Sequence, residues 1–114
     1  MLTLEKMQEL GIDPKEGLTR CMNNEVFFFK MIAMAVANEY FDTLGYSLEK
    51  KDFDSAFEAA HALKGVIGNL ALKPIYDPLA EMTELLRAKK DADYVSMYRP
   101  IKEIRDQLLA LTQD

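Results

Sequence analysis

The chain holds a single imidazole, His61, inside the stretch FEAAHALKGVIGNLAL at residues 57–72. One histidine and one cysteine make no paired metal-ligand set, and the seven methionines read as core filler. A lone imidazole can still act as a nucleophile, because histidine's ordinary pKa of about 6.5 leaves the neutral form abundant near pH 7. Lys64, Gly65, Gly68 and Asn69 follow closely. Residues three and four apart share a helix face, so the Lys64 ammonium lies beside the ring and can pair with an anion attached to it. Each glycine costs about 0.5–1 kcal/mol relative to alanine in a helix interior. Neither stands at a helix end in this reading, so capping does not explain them. Their missing side chains leave the ring accessible and let a bulky partner approach the backbone. Asn69 sits on the flank, where it can hydrogen-bond near the helix end.

A helical wheel turned at about 100° per residue sorts the rest of this stretch. Ala56, Ala59, Leu63, Val66, Ile67 and Leu70 fall opposite His61, whereas Asp54, Glu58, Lys64, Gly65 and Gly68 fall near it. A structural core histidine belongs on the apolar stripe. This one lies across from it and is expected in solvent, where the bland alternative is an ordinary surface residue. Phe57 comes within about 40° of His61, one turn earlier. It either rims the site as a docking contact or packs under a neighbouring helix.

The elements that must position these residues are helical throughout, since apolar residues recur at spacings of three and four and almost nowhere alternate. A short helix is expected over residues 2–10, with Leu4, Met7 and Leu10 on one side, and a second from Asp13–Pro14 to about Met22. The first long helix caps at Asn23 or Asn24 and runs to about Leu44, where Gly45 ends it as a left-handed cap. The histidine helix opens at about Asp52 and runs to about Leu70. The next begins at Pro74 or at Asp77–Pro78, and the last covers about 92–112, with Pro100 either kinking it or marking its start. Short loops make neighbouring helices antiparallel. The expected architecture is all-α: an up-and-down antiparallel four-helix bundle over residues 23–112, with short additional N-terminal helices over 1–22, in one domain of 114 residues.

Composition narrows the function classes. The formal charge of −5 argues against nucleic acid as a partner. No apolar run approaches the roughly 20 residues that cross a bilayer, so no membrane partner is expected. No secretory signal is visible, and the lone Cys21 fits a reducing cytoplasm as a small buried side chain. No P-loop or glycine-rich nucleotide box occurs, and the scattered carboxylates form no recognisable catalytic pair, so an independent enzyme is not expected. The charged stretches LEKKD and RAKKDAD read as solvated helix ends. VFFFKMIAMAV is apolar almost all round, as a buried central helix would be; the alternative exposes Phe28 or Phe29 as an apolar docking patch beside His61.

The segment AHALKGVIGNLAL resembles the acceptor helix of histidine-containing phosphotransfer (HPt) domains, whose pattern is close to A-H-x-L-K-G, a small residue, then N-[LI]-G. Ala60, His61, Leu63, Lys64, Gly65, Gly68, Asn69 and Leu70 fit it; Ala71 departs, where the family often has glycine. EGLTRCMNNEVFFFKMI is similar to the family's G-L-x-R segment ahead of its first long helix. The resemblance implies a phosphorelay intermediate of two-component signalling. The Nε2 of His61 would take a phosphoryl group from the phospho-aspartate of a receiver domain, in a response regulator or hybrid histidine kinase, and pass it to another receiver aspartate. Lys64 would steady the phosphohistidine oxygens. Gly65, Gly68, Asn69 and Phe57 would serve receiver access and docking, with no cofactor and no metal held by this chain. The alternative from another class is a non-phosphorylated helical adaptor that binds receiver domains; a plain helical dimerisation module is a third. The presence of both His61 and Lys64 favours the carrier. The bundle needs no second chain to close its core, so a monomer is expected, and a start methionine with a helix ahead of the bundle points to a stand-alone protein.

Overall fold

Asn38 divides what the sequence presents as one long helix. The structure, a computed structural model that describes residues 1–113, contains α1 (Leu4–Glu9), α2 (Lys15–Arg20), α3 (Glu25–Val36), α4 (Tyr40–Glu49), α5 (Phe53–Gly68), α6 (Lys73–Arg87) and α7 (Tyr94–Thr112). No strand occurs among the described residues. The expected helix over 23–44 is thus two helices. The Oδ1 of Asn38 accepts a 2.8 Å hydrogen bond from the backbone N–H of Tyr40 and so starts α4 afresh. Gly45 does not end a helix. It lies inside α4, where a Cβ would stand 3.1 Å from the Tyr98 ring, so its bareness lets α7 pack close. The turn after α4 uses Lys51 in the left-handed region instead, with φ of 59°.

The other boundaries follow local chemistry. Asn24 caps α3, its side chain accepting from Phe27 N–H at 3.1 Å. Asp52 caps α5 and Asp93 caps α7; in each a serine hydroxyl three residues on returns a 2.8 Å hydrogen bond to the carboxylate. The start of α6 resolves toward Pro74, which sits in its first turn. Asp77 and Pro78 lie inside the helix, contrary to the alternative start there. Pro100 lies inside α7 and marks no start.

α5 packs between α4 and α6, α6 packs on α7, and α7 closes the bundle on α4 and α3. The chain is therefore an all-α helical bundle, as expected. α3 and α4 run in line along α7 in the opposite direction, since Val36 meets Arg105 and Phe41 meets Tyr98. The inner stripe of α5 is built largely of small residues. Ala56, Ala59 and Ala60 are fully buried with Leu63 and Ile67, which brings neighbouring helices near the α5 backbone. Phe28, Ile32, Phe41, Leu44, Leu79 and Met82 fill the space around them. The short N-terminal segment contributes Met7 and Ile12 to the same core. Among the described residues no helix is long and apolar enough to cross a membrane.

Candidate functional site

The cap at Asp52 and the alanine stripe fix both the start and the rotation of α5. With Ala60 and Leu63 turned fully inward, His61 between them must turn outward, and it is exposed. Lys64, one turn on, is half-buried, and among the described residues it pairs with no carboxylate. Its ammonium is therefore unspent.

The two glycines differ. A Cβ at Gly65 would meet nothing within 4 Å, so the turn after His61 is open space. A Cβ at Gly68 would stand 2.9 Å from the Tyr76 ring of α6. At Gly68 the missing side chain makes room for Tyr76, so close helix packing is one reason for its bareness. Asn69 is the exposed C-cap of α5. Ala71, where the resemblance calls for glycine, takes the left-handed conformation anyway, with φ of 55°.

Phe57 lies against His61. The rings stack with centroids 5.7 Å apart and planes 16° from parallel. The Arg87 guanidinium of α6 lies 5.0 Å over the same Phe57 ring, and its Nε also donates to Glu84 at 3.1 Å. Phe57 is half-buried, so it both adjoins the imidazole and reaches the neighbouring helix. Arg87 is missing from the sequence reading, which took its stretch as a solvated helix end. The signal for it lies in the packing of α6 on α5, which spacing along one helix does not carry.

Arg20 is a second such residue. Its guanidinium donates a 2.7 Å hydrogen bond to the carbonyl of Gly68 and pairs with Glu16 at 2.7 Å. This ties α2 to the C-terminal end of α5, where the Gly68 carbonyl also accepts from the Ala71 N–H at 3.1 Å. Gly17 completes the joint, since a Cβ there would stand 2.5 Å from both the Leu70 carbonyl and the Phe28 ring. The segment Gly17–Leu18–Thr19–Arg20 did carry a signal, as a motif without an assigned job. Arg20, Lys64 and Lys73 then line a shallow cleft beside Gly65, with Glu16 and Asp77 on its walls.

The apolar helix α3 settles between its two readings. Phe28 is fully buried and Phe29 half-buried against it, with ring centroids 6.0 Å apart. The exposed large side chains of α3 are Val26, Phe27 and Met34. No group of three or more metal-ligating side chains gathers among the described residues.

An exposed imidazole at mid-helix, an unpaired ammonium one turn on and a bare backbone beside them are what transfer of an anionic group to histidine needs. No curated protein and no solved structure gives a match to the chain. A family model, that of the Hpt domain, matches residues 33–114, a span that takes in α4 to α7 and His61. The chain belongs to the Hpt domain family, whose role is phosphotransfer in two-component signalling.

Proposed function

We propose that His61 is the phosphoacceptor of a phosphorelay, loaded by one receiver domain and unloaded by another. Hpt domains work with receiver domains and are phosphocarriers rather than enzymes in the usual sense. The observation that carries the assignment is the exposure of His61 at mid-helix next to the open space at Gly65.

In the forward step the lone pair of Nε2 attacks the phosphorus of an aspartyl phosphate in line with the leaving oxygen. The N–P bond forms as the acyl O–P bond breaks, the aspartate leaves as carboxylate, and Nδ1 keeps its proton. The return step is the same displacement with a second receiver's aspartate as nucleophile. Such transfers ask chiefly for alignment and for charge stabilisation on the phosphoryl oxygens. This chain supplies the alignment through the rigid α5 and one positive charge through Lys64. The remaining charge compensation comes from the acidic, metal-binding site of the receiver. Access at Gly65 lets that site come against the α5 backbone, and Asn69 at the foot of the helix borders the same surface.

The test is direct. Incubated with a phosphorylated receiver domain, the protein takes up label that is acid-labile and base-stable. The His61→Gln protein folds and takes up none. Label that persists in that variant places the acceptor elsewhere.

A further inference from the structure

The stack that Phe57 makes with His61 does more than cover apolar surface. We propose that Phe57, steadied by Arg87, is a positioning residue for the phosphoryl transfer: it holds the imidazole in the orientation from which Nε2 attacks. The proposal rests on the reading of His61 as acceptor.

An exposed histidine on a helix is free to sample several side-chain rotamers, and only some point the nucleophilic nitrogen away from the helix toward a partner. Ala60 and Ala62 are its chain neighbours and Gly65 stands one turn on, while the flexible Glu58 and Lys64 that share its face give the ring no flat surface to lean on. Phe57, one turn before it, is the exception, with planes 16° from parallel at 5.7 Å between centroids. A stacked pair four residues apart selects the rotamer in which the rings overlap. Phe57 would be a poor platform if it swung freely. It is half-buried on the α5–α6 side, and the Arg87 guanidinium stands 5.0 Å over its ring and pairs at the surface with Glu84 at 3.1 Å. α6 thus braces α5 at the level of the acceptor, through Glu84, Arg87 and Phe57 to His61. Alignment of the attacking atom is the main thing a phosphoryl carrier can contribute, so freezing one rotamer in advance raises the transfer rate without adding a contact to the partner.

A docking role for the same ring predicts a different result. A docking contact is felt in the receiver concentration that half-saturates transfer. A positioning contact is felt in the rate at saturation. The experiment measures both, on the full chain, for Phe57→Leu and Phe57→Tyr, with the His61 ring-proton resonances recorded by NMR. Aromatic pairing energies correspond to a change of about two- to tenfold, so Phe57→Leu is expected to slow saturated transfer about two- to tenfold at unchanged half-saturation. The His61 ring protons should lose the ring-current shift that the phenyl imposes. Phe57→Tyr, which keeps the platform, restores both. Arg87→Gln gives a smaller loss of the same kind, with the helical circular dichroism retained. Saturated transfer unchanged in Phe57→Leu, or a loss seen only in half-saturation, overturns the proposal. Label that persists in His61→Gln brings down the acceptor assignment and this proposal together, whereas no label there with wild-type transfer by Phe57→Leu brings down this proposal alone.

Discussion

The Nε of Arg105 donates a 2.7 Å hydrogen bond to the carbonyl of Val36, 69 positions earlier in the chain. Val36 ends α3, and a helix end inside a bundle leaves carbonyls that must find a donor. Arg105 supplies it from α7 while buried to 8 % exposure, its guanidinium 5.0 Å over the Phe41 ring and its Nη1 3.0 Å from Asp106. The break between α3 and α4 is therefore a built joint. Arg105→Met keeps the stem and removes the donor, so it strands the Val36 carbonyl at a cost of about 1–3 kcal/mol. Urea unfolding should show that loss as a lower midpoint with native helix content retained. A midpoint equal to wild type would mean that water serves the carbonyl as well.

Tyr98 secures the same joint from the other side, its hydroxyl donating 2.6 Å to the carbonyl of Phe41. Burial raises the pKa of this phenol well above the ordinary tyrosine value; Arg105 opposes the shift, and Asp42 and Asp106 add to it. The folded state then binds the phenolic proton more tightly than the unfolded chain does. The resulting stability is complete below the unfolded pKa of about 10 and is lost as pH climbs beyond it toward the folded value. Tyr98→Phe should cost about 0.5–1.5 kcal/mol at neutral pH, the net worth of one hydrogen bond, since the ladder of α4 still serves the Phe41 carbonyl. It should also flatten the loss of stability above about pH 10. Denaturant melts across that range check both, and an alkaline limb as steep as wild type would assign the loss to other groups.

The histidine helix is legible in the sequence because its determinants are local: Asp52 caps it, three buried alanines set its rotation, and His61 falls outside the stripe they define. The break at Asn38 is not legible, because Ala37, Asn38 and Glu39 include neither glycine nor proline, and the residue that completes the joint is Arg105. Gly45 misleads for the same reason: its partner is the Tyr98 ring, and no window along α4 contains it. At the site, the pairing of Phe57 with His61 follows from a spacing of four. The presence of Arg87 depends on how α6 is set against α5, and that is decided by the whole core. Gly65 and Gly68 look alike in sequence and are separated only by Tyr76.

That separation makes opposite predictions for two similar changes. Gly65→Ala puts a methyl into open space in a helix interior, so it should raise stability by about 0.5–1 kcal/mol. If the bare turn serves a docking receiver, the same methyl slows phosphotransfer. Gly68→Ala forces a Cβ to 2.9 Å from the Tyr76 ring and should lower the melting temperature. Thermal unfolding of both variants, with transfer measured on Gly65→Ala, decides the matter. A Gly65→Ala protein that is more stable and transfers at the normal rate would leave that glycine without a part in access.

Lys64 tests the electrostatics of the site. It stands three residues after His61, half-buried, with no carboxylate to satisfy among the described residues. Among the described residues Lys102 of α7 is the one lysine with a carboxylate partner, Asp106 at 2.6 Å, so the fold leaves Lys64 unpaired as it does the other lysines. Removing Lys64 should therefore cost the fold little. The phosphoryl group on His61 would bring negative charge within reach of the ammonium. A charge-assisted contact in partial solvent is worth about 1 kcal/mol, so Lys64→Ala should slow transfer or shorten the phosphohistidine lifetime about three- to tenfold. Lys64→Arg keeps the charge and should recover part of the loss. Raising salt should narrow the gap between wild type and Lys64→Ala, because ions screen the interaction that the variant lacks. Equal kinetics for wild type and Lys64→Ala at low salt would remove the lysine from the mechanism and leave charge compensation to the receiver alone.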